Sequence, residues 1–219
     1  MDYVISDMHF DDDFLMKAQG EDFPNVADKN ALIIANWNKK INDNNTKVYI
    51  LGDIGFNRDM LKEIIPKLRG YKILLMGNHD SFSKSFYQEL FDEVYDTPIY
   101  YSKRIVLSHH PIPVEPGVIN LHGHTHLIDL AGGQHFNVCV ERIDYAPRPM
   151  KYYEIKLGRI DKPNRIFLQE WYKDIQLATT PRDDLAIMTA SGLIDAELTK
   201  IKIAMKKQAK KRKLEHNEE

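Results

Sequence analysis

The sequence predicts an α/β layered fold. Short runs rich in Val, Ile and Leu, each bounded by turn residues, recur from Tyr3 to Val140. Amphipathic helical patterns separate the first of these runs. Blocks of Asp, Asn and His follow directly on the apolar runs, where the loops of an open α/β sheet converge.

Taken in order, strands are read at Tyr3–Ser6, Lys47–Leu51, Lys72–Met76, Arg104–Ser108, Val118–His122 and Phe136–Val140. The first three have the short continuous apolar character of strands covered on both faces. Between them, residues Val26 to Ile41 place Leu32, Ile33, Trp37 and Ile41 at helical spacing, and Arg58 to Leu68 does the same with Leu61, Ile64, Ile65 and Leu68. Pro66 lacks an N–H and is expected to kink or shorten that second helix. A further helix is predicted over Lys84–Leu90.

Five polar blocks stand at the strand ends: Asp7-Met8-His9, Gly52-Asp53, Gly77-Asn78-His79-Asp80, Ser108-His109-His110-Pro111 and Gly123-His124-Thr125-His126. Any one of them is weak evidence. Average residue usage makes a chance Gly-Asn-His-Asp in a chain of this size roughly a one-in-a-thousand event, and all five in this order is far rarer. Carboxylates, imidazoles and one carboxamide are what two adjacent divalent cations sharing an oxygen ligand require. Asp53, alone after its glycine, is the natural carboxylate to touch both ions. Asp7 and His9 are two residues apart and can point the same way, as can His124 and His126. Asn78 adds a neutral oxygen, and His109 completes the set. His79 is expected at the rim as a proton donor to the leaving group, with Asp80 fixing its tautomer. Glycines at 52, 77 and 123 suit turns crowded against such a site.

Size and composition agree with a globular chain. The 219 residues are 43% hydrophobic and 28% charged, with no apolar run of membrane length. Tyr3-Val4-Ile5 already reads as a strand, so no cleavable signal is expected before it. The single cysteine, Cys139, rules out an internal disulfide and suits a reducing compartment; a cytoplasmic location is expected. Net charge is −2, but the eight basic and three acidic residues from Lys200 onward give the tail +5 and leave −7 for residues 1–199. That body does not look like a general nucleic-acid surface.

The apolar pattern of the core ends near Leu157. Two domains are expected, 1–160 and 161–219. In the second, Arg165–Tyr172 reads as a strand, Pro181 with Asp183 and Asp184 as a helix start, and Ile194, Leu198, Ile201 and Met205 as an apolar helical stripe ahead of the basic run. A helix packed on the body is the reading of this tail, with dimerisation or nucleic-acid contact through it as the alternatives.

The five blocks resemble the signature of the calcineurin-like metallophosphoesterases: D-x-H, G-D, G-N-H-D/E, H and G-H-x-H. The resemblance covers residues 2–157. Asn36-Trp37-Asn38, Val48–Asp53, Leu121–His124 and Asn137–Val140 are similar to a branch of small bacterial and phage-encoded members. It implies a four-layer α/β/β/α metallophosphoesterase sandwich, here with a C-terminal, mainly helical extension. It implies Asp7, His9, Asp53 and His126 on one ion, Asp53, Asn78, His109 and His124 on the other, and His79 as the acid. Manganese is the first choice of metal, with iron, zinc, nickel or cobalt as the others.

Two features depart from that branch. Asp11-Asp12-Asp13 stands where Gly-His is usual and is expected to be a solvated loop, and His110 beside His109 leaves open which of the two is the ligand. His110, His122 and Arg58 are expected to contact phosphate. The reaction expected is hydrolysis of phosphodiesters or phosphomonoesters of nucleotide type by a hydroxide bridging the two ions, in a shallow site that also suits nucleic-acid ends. A protein phosphatase on the same site, and a non-catalytic nucleic-acid-binding adaptor using the basic tail, are the competing readings.

Overall fold

In the computed structural model, the structure describes residues 1–128, 130 and 133–157. All of them lie in one compact unit, Met1–Pro163. The strand, helix and basic run expected beyond residue 160 lie outside the described residues. None of the described helices is long and apolar enough to cross a membrane.

Two sheets form. The first runs in the order β4 (Glu93–Tyr95), β3 (Tyr71–Leu75), β2 (Lys47–Ile50), β1 (Tyr3–Ile5), β9 (Arg148–Pro149), parallel except for β9. The second runs β5 (Ile99–Ser102), β6 (Ile105–Ser108), β7 (Ile119–His122), β8 (His135–Asn137), parallel except for β5. All six predicted strands are present within a residue or two at most ends. The exception is Phe136–Val140, which shifts to His135–Asn137 and passes into a 3₁₀ turn at Val140–Arg142. The three strands β4, β5 and β9 and the helix α5 (Met150–Leu157) were not anticipated: the strands are two to four residues long, too short to show a period.

Helix α2 (Val26–Lys40) is capped by Asn25, whose Oδ1 accepts the Asp28 N–H at 2.9 Å, and α3 (Arg58–Ile64) is capped in the same way by Asn57. Such a cap contributes about 1 kcal/mol. Helix α3 stops where Pro66 forces a 3₁₀ turn at Ile65–Lys67. Helix α4 (Lys84–Gln88) is capped by Ser83. Trp37 is fully buried under α2, its indole N–H donating to Arg69 O at 2.8 Å, whereas Leu32 is 38% exposed and lies outside the core.

These helices pack with Ile5, Ile50 and Leu74 on one face of the first sheet. The other face, carrying Val4, Leu51, Ile73 and Leu75, packs against Ile105, Leu107, Ile119 and Leu121 of the second sheet. Helices and two facing sheets thus stack as in the expected metallophosphoesterase sandwich. Loop 110–118 meets the second sheet at the polar side chains that point away from this core. Asn120 Oδ1 accepts Ile112 N–H at 2.9 Å, and Gln134 Nε2 donates to Val118 O at 2.6 Å. A parallel bridge between Ser6 and Cys139 ties the two sheets together just beyond β1, which brings their C-terminal ends to one rim.

Asp11-Asp12-Asp13 is not a solvated loop. Asp12 is 3% exposed and caps a short helix, α1 (Asp13–Ala18), by accepting Leu15 N–H at 2.8 Å. A six-residue helix carries too little periodicity to be read from sequence, and its cap was taken for surface charge.

Candidate metal centre

The rim is shaped by backbone as much as by side chains. Asp7 and His9 leave β1 in left-handed conformation, φ 55° and 44°, and Asp53, His124 and His126 adopt 53°, 65° and 46°. Such values cost about 1–3 kcal/mol per residue and persist only where the surroundings over-determine them. Here Asp7 N–H donates to Gly52 O and His9 N–H to Asp53 O, both at 3.0 Å. The amide of His124 donates to the Asp7 carboxylate, at 3.0 Å to Oδ2. Glycine is obligatory at the closest approaches: a Cβ on Gly123 would stand 2.0 Å from Asp7 Oδ2, and one on Gly77 2.2 Å from Asp53 Oδ1.

Around Asp53 the donor atoms fall into two groups. On one side His9 Nε2 lies 3.7 Å from Asp53 Oδ2 and 3.8 Å from Asp7 Oδ1, and His126 Nε2 lies 3.6 Å from Asp7 Oδ1. On the other, His109 Nε2 lies 3.3 Å from Asp53 Oδ2, while Asn78 Oδ1 is 2.8 Å from His109 Nε2 and 2.9 Å from His124 Nδ1. Asp53 borders both groups. Donors each about 2.0–2.2 Å from a shared ion stand about 2.8–3.6 Å apart at octahedral or tetrahedral angles, which is close to the spacing seen.

The residues fit divalent cations, and His9 is the test. Both of its ring nitrogens are buried with no hydrogen-bond partner among the described residues. Yet the carboxylates of Asp7, Asp12 and Asp53 lie 3.6–3.8 Å away. Leaving a buried imidazole unsatisfied among carboxylates is costly unless a cation answers both. His109 makes the same point. Its Nδ1–H donates to Leu51 O at 2.7 Å, which turns Nε2 toward Asn78 and Asp53. Burial lowers its pKa, but the charge of Asp53 outweighs this and pushes it up to about 10. The pocket carries negative charge that asks for a positive partner.

The sequence model of the calcineurin-like phosphoesterase family matches residues 3–209. The chain belongs to that family. An uncharacterized protein of Methanocaldococcus jannaschii is 30% identical over 158 residues, covering 66% of this chain and 84% of the relative. The crystal structure of a protein of unknown function from Aquifex aeolicus superposes with a TM-score of 0.57 at 27% identity, over 71% of this chain and 98% of the other. A looser likeness, TM-score 0.39 at 19% identity over 57% and 61% of the two chains, joins it to a Pseudomonas putida nuclease and bears no weight on substrate. The family match runs well past residue 157, where the recognisable motifs stop.

The remaining residues singled out in the sequence are placed less uniformly. The His79 ring packs edge-on to the His9 ring at 5.6 Å between centroids, and its backbone N–H donates to Asp53 Oδ1 at 2.8 Å. Asp80 does not serve His79. Its carboxylate accepts the backbone N–H groups of Asp53 (2.9 Å), Ile54 (3.1 Å) and Gly77 (2.7 Å). Burial and the charge of Asp53 raise it to about 7, against the pull of those bonds. Of the two adjacent histidines, His109 points at Asn78 and Asp53, whereas His110 is exposed and stands 4.0 Å, centroid to centroid, from the His124 ring, and both fall with His124 in one group of side chains that could hold a metal ion. His122 is 1% exposed with Nδ1 against Gly123 O at 2.8 Å, so it presents no surface to a phosphate. Arg58 is exposed at the start of α3, its guanidinium 4.6 Å from the centre of the Phe86 ring.

Four residues beside the pocket were not anticipated. Ser6 Oγ and Cys139 Sγ both donate to Asp7 Oδ2, the thiol at 3.2 Å. Glu141 accepts from His126 Nδ1 at 2.8 Å, and Asp12 faces His9 Nδ1 at 3.6 Å. Cys139 lies in the Asn137–Val140 stretch, but nothing in the sequence pairs any of the four with its partner, so only the folded chain could reveal these contacts.

Proposed function

We propose that this phosphoesterase is a hydrolase that uses two divalent cations, manganese foremost, to cleave phosphodiester or phosphomonoester bonds of nucleotide-type substrates. One observation carries the reading: Asp53 stands between two convergent donor groups, 3.7 Å from His9 Nε2 and 3.3 Å from His109 Nε2. Asp7, His9, Asp53 and His126 would hold one ion, and Asp53, Asn78, His109 and His124 the other.

When bound, a pair of cations supplies Lewis acidity toward the phosphoryl group and a water acidic enough to attack near neutral pH. The protein's own part is to place groups around that centre. Asn78 adds an oxygen without adding charge. His79, held at its backbone by Asp53 and edge-on to His9, would give a proton to the departing alkoxide, a role typically worth about 10²–10⁴-fold. Burial lowers its pKa, which makes the imidazolium a better donor while reducing the fraction protonated at neutral pH. His110 would be the residue to meet a phosphate oxygen, a role supported by its exposure beside His124.

The pocket opens on the side of Asn78 and His110, both exposed. That supports accessible substrates over a fully enclosed metabolite. The test is a paired assay on metal-replete protein with bis(p-nitrophenyl) phosphate, a panel of nucleotides and a phosphopeptide. Hydrolysis of the diester and nucleotides is expected. Turnover of the phosphopeptide alone would replace this reading with a protein phosphatase, and no turnover of any would leave a binding protein.

A further inference from the structure

The metal-facing imidazoles His9 and His126 each turn their second ring nitrogen away from Asp53 and Asp7, toward a carboxylate that no motif contains. His126 Nδ1–H donates to Glu141 Oε1 at 2.8 Å, and the Glu141 side chain is only 5% exposed. Asp12 Oδ2 faces His9 Nδ1 at 3.6 Å, with the two side chains 3% and 0% exposed. Asp12 Oδ1 is occupied as the cap of α1, which fixes where Oδ2 points. Glu141 Oε2 has no hydrogen-bond partner among the described residues. The opposite donor group is backed differently: His109 Nδ1–H meets the neutral carbonyl of Leu51.

Resting on the dinuclear reading, we propose that Glu141 and Asp12 are positioning residues for the ion held by Asp7, His9 and His126. Glu141, by accepting the Nδ1–H of His126, holds that imidazole in the tautomer that presents Nε2 to the metal, and Asp12, 3.6 Å from His9 Nδ1 and beyond hydrogen-bond reach, adds negative charge behind that ring. A carboxylate accepting the far N–H of a ligating histidine makes that ligand more basic, and its loss typically costs about 10–100-fold in metal affinity. Asp12 and Glu141 add two carboxylates to those of Asp7 and Asp53 in one largely dry volume, which favours bound dications. Were Glu141 and Asp12 mere structural anchors, neutral polar side chains would serve as well, since Gln accepts the same N–H and Asn caps a helix as well as Asp.

That contrast is the experiment. Metal-stripped wild type, Glu141→Gln, Glu141→Leu and Asp12→Asn are titrated with Mn²⁺ by isothermal calorimetry, with thermal unfolding in chelator as a control for the fold. Wild type is expected to bind two Mn²⁺. Glu141→Gln and Asp12→Asn should each weaken one of the two sites by about 10–100-fold, leave the other unchanged, and unfold in chelator at no lower temperature than wild type. Glu141→Leu should weaken the same site further. Wild-type affinity at both sites in Glu141→Gln and Asp12→Asn would overturn the inference while leaving the dinuclear reading intact. A wild type that binds no Mn²⁺ would remove that reading as well.

Discussion

The carboxylate of Asp80 accepts the backbone N–H of Asp53 at 2.9 Å and so holds the residue that borders both donor groups. The Ile54 and Gly77 amides bind the same carboxylate, which makes Asp80 the anchor at which two metal-bearing loops meet. Asp80→Ala would strand three N–H groups, at about 1–3 kcal/mol each where burial is complete. The expected result is a clear fall in melting temperature in chelator together with loss of Mn²⁺ binding. If Asp80 instead acted on His79, the variant would keep wild-type stability and shift only the pH profile of turnover.

Gly123 offers a sharper perturbation. A methyl group there meets Asp7 Oδ2 at 2.0 Å and Ser6 Oγ at 2.1 Å, so Gly123→Ala must displace the Asp7 carboxylate. We expect a folded protein with wild-type secondary structure by circular dichroism and at least 10-fold weaker binding of one metal, as for other lost ligand orientations. Unchanged affinity would mean that Asp7 is not a ligand.

These two residues show what could be read in advance. The blocks from Asp7 to His126 were legible because each follows an apolar run, and pairs two residues apart share a direction. Gly52, Gly77 and Gly123 were legible as crowded turns for the same reason. Asp80 was found but given the wrong partner: sequence adjacency suggested His79, whereas the turn at Gly77 swings its carboxylate onto backbone amides. Asp12 and Glu141 were missed because a carboxylate behind an imidazole depends on tertiary placement alone. The short strands β4, β5 and β9 owe their existence to neighbours already in the sheets, not to a period of their own.

Buried His122 sets an expectation for acid. Burial is the largest cause of its shift and lowers its pKa to about 3. The unfolded chain takes up a proton near pH 6.5 that the folded chain refuses, so this group's contribution is intact above 6.5 and is lost as pH falls from there toward 3. The slope is about 1.4 kcal/mol per pH unit. Denaturant unfolding in chelator between pH 4 and 7 should show His122→Gln with the shallower dependence. Parallel curves for the two proteins would show that His122 takes up its proton in the folded state.

His79 separates chemistry from binding. His79→Asn should lower turnover of a diester with a poor leaving group by about 10²–10⁴-fold, leave the Mn²⁺ titration unchanged, and matter least for p-nitrophenolate, which needs no proton to depart. Equal losses for good and poor leaving groups would move His79 from proton donor to a structural role.

The most direct test of the whole account is Asp53→Asn. Metal-stripped wild type and variant are reconstituted with saturating Mn²⁺ and assayed for hydrolysis of bis(p-nitrophenyl) phosphate, with bound metal measured in the same samples. The account expects two Mn²⁺ and turnover in wild type, and no turnover in the variant. Near wild-type turnover in Asp53→Asn would contradict it.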